Sequence, residues 1–256
     1  MKKSLGALII HGFSGAPEEL RRVVPPLEGL GIPCLTPTLR GHGTNSPEAL
    51  SGADWPAWVE DGANALNSLL QEVEKVVVIG HSMGGWIAMS LAIDYPEKVD
   101  SIVIAGASTR SVSLLGPHRP LHFLFPLLVN LKKRWDFSIE LADPAYDEGV
   151  HSYEWVPMKS WIAVFDFMRA TEERLPEVHV PILIMHSNND TTNAPAGVKI
   201  LDERISTPQD QKRIVWFERT SHDMFNDCER DEVMATVVGY VQERLDRAHE
   251  RSQSWQ

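Results

Sequence analysis

Little in this chain speaks for a fold stapled by anything other than its own core. Its 256 residues hold only two cysteines, Cys34 and Cys228. Neither stands at a metal-ligand spacing, which excludes a disulfide framework and a cysteine-based metal site. Both thiols are expected to be reduced and structural. Positive charge is scarce as well. Against 35 Asp and Glu there are 24 Lys and Arg, a net charge of −11, so the footprint of a nucleic-acid or anionic-membrane binder is missing. Long hydrophobic runs are lacking too. The longest, Leu121 to Leu131, is broken by His122, Pro126 and Asn130 and falls far short of the roughly 20 residues of a spanning helix. Met1-Lys2-Lys3 before an apolar stretch imitates an export signal. However, Leu5 to Ile10 is too short for its hydrophobic region and leads into His11-Gly12 without a cleavage site. Repeats and low-complexity tracts are absent. The expectation is a cytoplasmic protein, monomer or homodimer, with no cofactor, no metal and no transmembrane segment.

What remains is an ordinary globular composition, 43% hydrophobic and 23% charged, in a chain long enough for one large domain or a domain carrying an insertion. Short β-branched runs alternate with longer stretches of helical period, the pattern of a parallel sheet covered on both faces. Six strands are predicted, at about Gly6–Ile10, Ile32–Thr36, Lys75–Ile79, Val99–Ala105, Pro181–Met185 and Lys212–Phe217. Helices are expected from Pro25-Pro26, from Trp55 to about Val73, after Ser82, and from Glu229 to about His249. The strand spacing breaks once. Some 75 residues separate the fourth strand from the fifth, too many for a structureless loop. The reading is a core formed by residues 1–106 and 180–256, with a helical cap inserted at 107–179.

Chemistry concentrates where strands end. Gly80-His81-Ser82-Met83-Gly84-Gly85 follows a strand and opens a helix, the context that a Gly-x-Ser-x-Gly nucleophile elbow requires. Glycines on either side let chains approach a tight turn, and the next helix aims its amino-terminal N–H groups at developing negative charge. Serine needs a base and an acid that orients it, in the chain order Ser, Asp, His for such a fold. Asp190 follows the fifth predicted strand and His222 the sixth. The other site used for the acid reads Gly106-Ala107-Ser108-Thr109 and has no carboxylate. His11-Gly12-Phe13-Ser14-Gly15 follows the first strand at the same sheet edge, so the backbone N–H groups of Phe13 and Met83 are the expected oxyanion donors. Of the other histidines, His81 is expected to pack on the sheet and His11 to be buried and hydrogen-bonded. His118 and His122 lack a third ligand.

These motifs, with Arg40-Gly41-His42-Gly43, resemble the α/β-hydrolase family and within it the carboxylesterase and monoacylglycerol lipase branch. The resemblance spans nearly the whole chain except the cap. It implies a mostly parallel sheet of about six to seven strands with helices on both faces, Ser82 as nucleophile, His222 as base and Asp190 as its orienter. One departure stands out. The family commonly has an antiparallel hairpin ahead of the His-Gly strand, and only about five residues precede it here, so six main parallel strands are expected. Dehalogenases and epoxide hydrolases, which carry Asp at the elbow, fit less well.

The expected reaction is hydrolysis of a small-molecule acyl ester through an acyl-enzyme. Half of the 16 Trp and Phe residues fall in the cap segment, pointing to an apolar group in the pocket. Phe13, Phe123, Phe125, Trp135, Phe137, Trp155 and Trp161 are its candidate walls. The same triad also serves peptidases of the iminopeptidase type and carbon–carbon bond hydrolases. An amine substrate would want cap acids such as Glu140, Asp143, Asp147 or Glu148 facing the pocket. A ligand-binding receptor on the same scaffold is the non-enzymatic alternative.

Overall fold

The computed structural model describes residues 2–136, 141–149 and 153–253. Its strands are, in chain order, β1 (Lys3–Ile10), β2 (Cys34–Leu35), β3 (Val73–His81), β4 (Val99–Ala105), β5 (Arg134–Asp136), β6 (Trp155–Pro157), β7 (Ile182–Ser187) and β8 (Lys212–Phe217). The helices are α1 (Val24–Gly29), α2 (Trp55–Leu69), α3 (Met83–Asp94), α4 (Phe125–Leu131), α5 (Met158–Arg174), α6 (Ala196–Arg204) and α7 (Arg230–Gln253). Six strands form one sheet in the order β2-β1-β3-β4-β7-β8, every neighbouring pair parallel.

Period-two alternation divides the sheet's side chains between two cores. Val76, Val78, Ile102, Ile104, Ile182 and Ile184 point to one face, where they meet α2, α3 and α5. Val77, Ile79, Val103, Ala105, Leu183 and Met185 point to the other, against α1 and α7. Helix α3 is buried nearly all round, from Met83 to Ala92, because it lies under both the sheet and α5. The register matters for chemistry. Ile10 pairs with Gly80, and Gly80 with Ile104, so the loops leaving β1, β3 and β4 start from one row at the carboxyl edge, where ligands of open parallel sheets bind.

Several boundaries differ from the sequence expectation for local reasons. The second strand shrinks to Cys34–Leu35 because Pro33 and Pro37 flank it and lack the N–H a ladder needs. Helix α2 stops at Leu69 so that Val73, fully buried, can open β3. Its start is capped by the Asp54 carboxylate, which accepts the Ala57 N–H at 3.3 Å. The short helix α6, between β7 and β8, has no counterpart in the sequence reading. Between β4 and β7 the chain builds α4 and α5, but also an antiparallel hairpin of β5 and β6, with Trp135 opposite Val156. Helix α5 shares the sheet's core: Phe167 stacks on Trp55 with ring centroids 5.2 Å apart and meets Trp86 edge-on at 5.7 Å.

Candidate active site

The turn after β3 carries the strain its motif implies. Ser82 adopts φ 52° and ψ −117°, a region that L side chains rarely visit and that persists only where surroundings enforce it. Enforcement comes from close packing. A Cβ on Gly80 would lie 2.1 Å from the Gly84 carbonyl oxygen, and one on Gly84 would lie 2.2 Å from that of Ile10. No larger residue fits at either position. The Ser82 amide donates to the Ala105 carbonyl at 2.8 Å, anchoring the elbow to β4.

Three side chains from three strand ends meet there. Ser82 Oγ lies 2.9 Å from His222 Nε2, and His222 Nδ1 lies 2.8 Å from Asp190 Oδ2. The other oxygen of Asp190, Oδ1, accepts the amides of Thr192 and Asn193, each at 2.8 Å. Burial pushes the Asp190 carboxyl up, but the charge and hydrogen bond of His222 outweigh it and hold the group below the usual carboxylate range. The acid is therefore ionised at neutral pH and accepts only, which fixes Nδ1 as the protonated nitrogen of a neutral His222 and leaves Nε2 to face the serine hydroxyl.

The β1 loop passes beside this group. His11 Nε2 accepts the Leu39 amide at 3.2 Å and His11 Nδ1 donates to the Gly12 carbonyl at 2.8 Å. Burial lowers the pKa of His11 and pushes that of His42 down to about 3. Both rings are therefore neutral packing groups beneath Phe13, with their centroids 5.1 Å apart. The Arg40-Gly41-His42-Gly43 motif is absorbed here, as a support for the β1 loop.

Two adjoining cavities lie at this site, and Ser82 lines the inner one. The inner one, about 50 Å³, is bounded by Phe13, Met83, Trp86, Trp161, Val164, Phe165 and Met168, with Ser82 and His222 at its floor. The outer one, about 270 Å³, is lined by Phe125, Trp135, Trp161 and Phe165 and by the hydroxyl-bearing Ser111, Ser113, Thr191 and Thr192. Of the aromatic residues singled out in the sequence, Phe13 and Trp161 line the inner cavity, while Phe125, Trp135 and Trp161 line the outer. Two others lie elsewhere: Phe123 is 73% exposed, and Trp155 carries the Arg134 guanidinium 4.0 Å over its ring. Phe137 lies outside the described residues. The walls that sequence reading missed are Trp86, which faces in from α3, and Val164, Phe165 and Met168, successive inward positions of α5 at helical spacing.

The proposed amine-binding acids do not line either cavity among the described residues. Glu148 is held outside by Arg21 at 2.7 Å, by Arg230 at 2.9 Å and by Arg22. Asp143 accepts the Ala145 amide and Asp147 that of Gly149, while Glu140 lies outside the described residues. The inner cavity's one carboxylate, Glu19, accepts the Gly12 amide at 3.2 Å. Asp136, at the outer rim, has its side chain 92% exposed.

The sequence profile of the family described as serine aminopeptidase, S33, matches residues 6–229. The chain is 27% identical over 223 residues to the thermostable monoacylglycerol lipase of Bacillus sp. strain H-257, an alignment covering 85% of this chain and 82% of the relative. It is 25% identical over 241 residues to the carboxylesterase of Bacillus subtilis strain 168, covering 93% and 92%. Among solved structures, one from work on LipS and LipT, two metagenome-derived lipolytic enzymes, superposes with a TM-score of 0.82 at 22% identity, covering 95% of each chain. The monoacylglycerol lipase of Paleococcus ferrophilus superposes with a TM-score of 0.72 at 19% identity, covering 95% of this chain and 98% of that one.

Proposed function

This chain belongs to the serine aminopeptidase, S33 family within the α/β-hydrolases, and we propose that it hydrolyses carboxylic esters through an acyl-enzyme on Ser82. The observation that carries the reading is the unbroken hydrogen-bond chain from Asp190 through His222 to Ser82, placed under an apolar cavity. Relatives named as monoacylglycerol lipase and carboxylesterase support ester chemistry.

In the mechanism, His222 Nε2 takes the Ser82 proton as Oγ attacks the acyl carbonyl, and Asp190 stabilises the imidazolium that results. The Met83 N–H at the start of α3 and the Phe13 N–H are the donors assigned to the developing oxyanion, Met83 with the helix dipole behind it. His222 then gives its proton to the leaving alcohol. Water repeats the sequence and releases the acid.

Residues 107–179 act as a cap over this site. The inner cavity, narrow and apolar, takes the acyl group of a short to medium ester. The outer cavity, with hydroxyls in its lining, takes the alcohol, which suits a polyol such as the glycerol of a monoacylglycerol. Peptide hydrolysis through a free amine is disfavoured, because no cavity-lining acid among the described residues is both enclosed and available to an ammonium. The reading is tested by a fluorophosphonate probe followed by peptide mapping: label on Ser82 is expected, and label elsewhere in an active preparation overturns it.

A further inference from the structure

Behind the β1 loop lies a pair of charged groups that the acyl-transfer mechanism does not use. Glu19 and His81 are 5% and 2% exposed, and Glu19 Oε2 sits 3.6 Å from His81 Nδ1. At that distance the two are held by charge, without a formed hydrogen bond. Each also has a second partner at the catalytic machinery. Glu19 Oε2 accepts the amide of Gly12, the residue before Phe13, at 3.2 Å. His81 Nε2 donates to the backbone carbonyl of His222 at 3.0 Å, and the two rings lie 5.1 Å apart. The turn bearing Glu19 is tied to the same histidine loop a second time, because Asn226 Nδ2 donates both to the Glu19 carbonyl at 3.0 Å and to Asp223 Oδ1 at 2.9 Å.

Space for the carboxylate is specially provided. A Cβ on Gly15 would stand 1.5 Å from Glu19 Oε1, so the loop motif ends in glycine where the acid passes beneath it. The charge state agrees with the geometry. Burial works against a charged His81, but Glu19 and then Asp223 outweigh it and raise its pKa to about 9. The burial of Glu19 is likewise outweighed, by His81 and then His11, and its carboxyl stays below the usual range. The groups facing His81 are thus Glu19, Asp223, His222 and His11.

We propose that Glu19 and His81 are a positioning pair that sets the oxyanion loop and the catalytic base relative to one another: the carboxylate holds the Gly12 amide, and the imidazole it faces holds the carbonyl of His222. Neither touches the substrate's reacting atoms. Their part is to fix two backbones whose relative displacement by an ångström would cost about a hundredfold in rate. The proposal rests on the reading of His222 as the base.

The test is steady-state hydrolysis of p-nitrophenyl butyrate by the full chain and three variants. Glu19→Gln, isosteric but uncharged, is expected to lower kcat by about ten- to a hundredfold with KM within about twofold. His81→Leu is expected to do the same. His81→Gln keeps an amide donor for the His222 carbonyl and is expected to recover about tenfold over His81→Leu. A Glu19→Gln kcat within about twofold of the native value, or a His81→Gln variant no faster than His81→Leu, overturns the pair. Should His81→Leu not fold, Glu19→Gln decides alone. Failure of the underlying esterase reading looks different: the native chain itself neither turns over the ester nor takes the fluorophosphonate on Ser82, and the pair falls with it.

Discussion

The Asp227 carboxylate accepts the Ser221 amide at 2.6 Å, and with the same two oxygens takes the amides of Ala142 at 2.9 Å and Asp143 at 3.2 Å. One buried side chain thus joins the residue before His222 to the insert after β4. Burial raises its carboxyl pKa, but the amides of Ala142, Ser221 and Cys228 pull it below the ordinary range. Charge-assisted bonds of this kind contribute roughly 1.5–3 kcal/mol each in mutational series. Asp227→Ala strips the acceptor from four amides. We expect it to unfold about 2–4 kcal/mol more easily, read as a lower midpoint in urea, with kcat reduced because the His222 loop loses its tether. An unchanged midpoint would refute the clamp.

Ser82→Ala is expected to abolish turnover of activated esters while circular dichroism stays native. Asp190→Asn presents an amide to His222 and favours the wrong tautomer, which in a serine protease costs about 10⁴ in kcat. A similar loss is expected here, with the KM little changed. Residual activity above a few per cent in Asp190→Asn would remove Asp190 from the role of orienter.

Alkaline stability follows from His81. Its pKa is raised from the unfolded value near 6.5 to about 9, so the folded state holds this proton more tightly than the unfolded state does. The stabilisation is complete below pH 6.5 and is lost as pH rises through about 9. A rise of that size corresponds to about 3 kcal/mol. Asp223, which burial pushes up to about 6, has finished titrating before this window opens. Thermal unfolding is therefore expected to shift downward by roughly 6–12 °C between neutral pH and pH about 10. Glu19→Gln, which removes the charge that raises His81, should flatten much of that dependence. Parallel curves for the two proteins would contradict it.

Trp161 lines both cavities, and Trp161→Ala would merge them. Pocket contacts discriminate by about 1–3 kcal/mol per methylene. The ratio of kcat/KM for a medium-chain ester to that for acetate is expected to rise by about tenfold or more, measured across p-nitrophenyl acetate through palmitate. A constant ratio would show that the wall between the cavities does not select chain length.

Much of this arrangement is legible in the sequence, for physical reasons that differ by residue. Ser82, Asp190 and His222 each follow a strand whose β-branched run is unmistakable, and a parallel sheet brings strand ends to one edge, so chain order sufficed to choose side chains that the structure brings within hydrogen-bond reach. The cap was harder. Strands β5 and β6 are three residues each, too short for alternation to register. Composition drew attention to Phe123 and Trp155 but carries no direction, and the one is exposed while the other packs under Arg134. Trp86 and Met168 line the inner cavity because of where α3 and α5 cross. Glu19 gave no signal, since nothing in Pro17-Glu18-Glu19-Leu20 tells which of two adjacent acids turns inward.

The seat of Phe167 between Trp55 and Trp86 has an implication for how such proteins exchange parts. Cutting the chain at 107 and 179 and grafting another insert would transplant α5 along with the rest, and two indole rings of the recipient would then face water. The insert is therefore not an interchangeable module. Its last third, from β6 onward, is tied to the sheet's core through α5. A graft that leaves Phe167 seated must therefore keep α5 and exchange only chain that precedes β6.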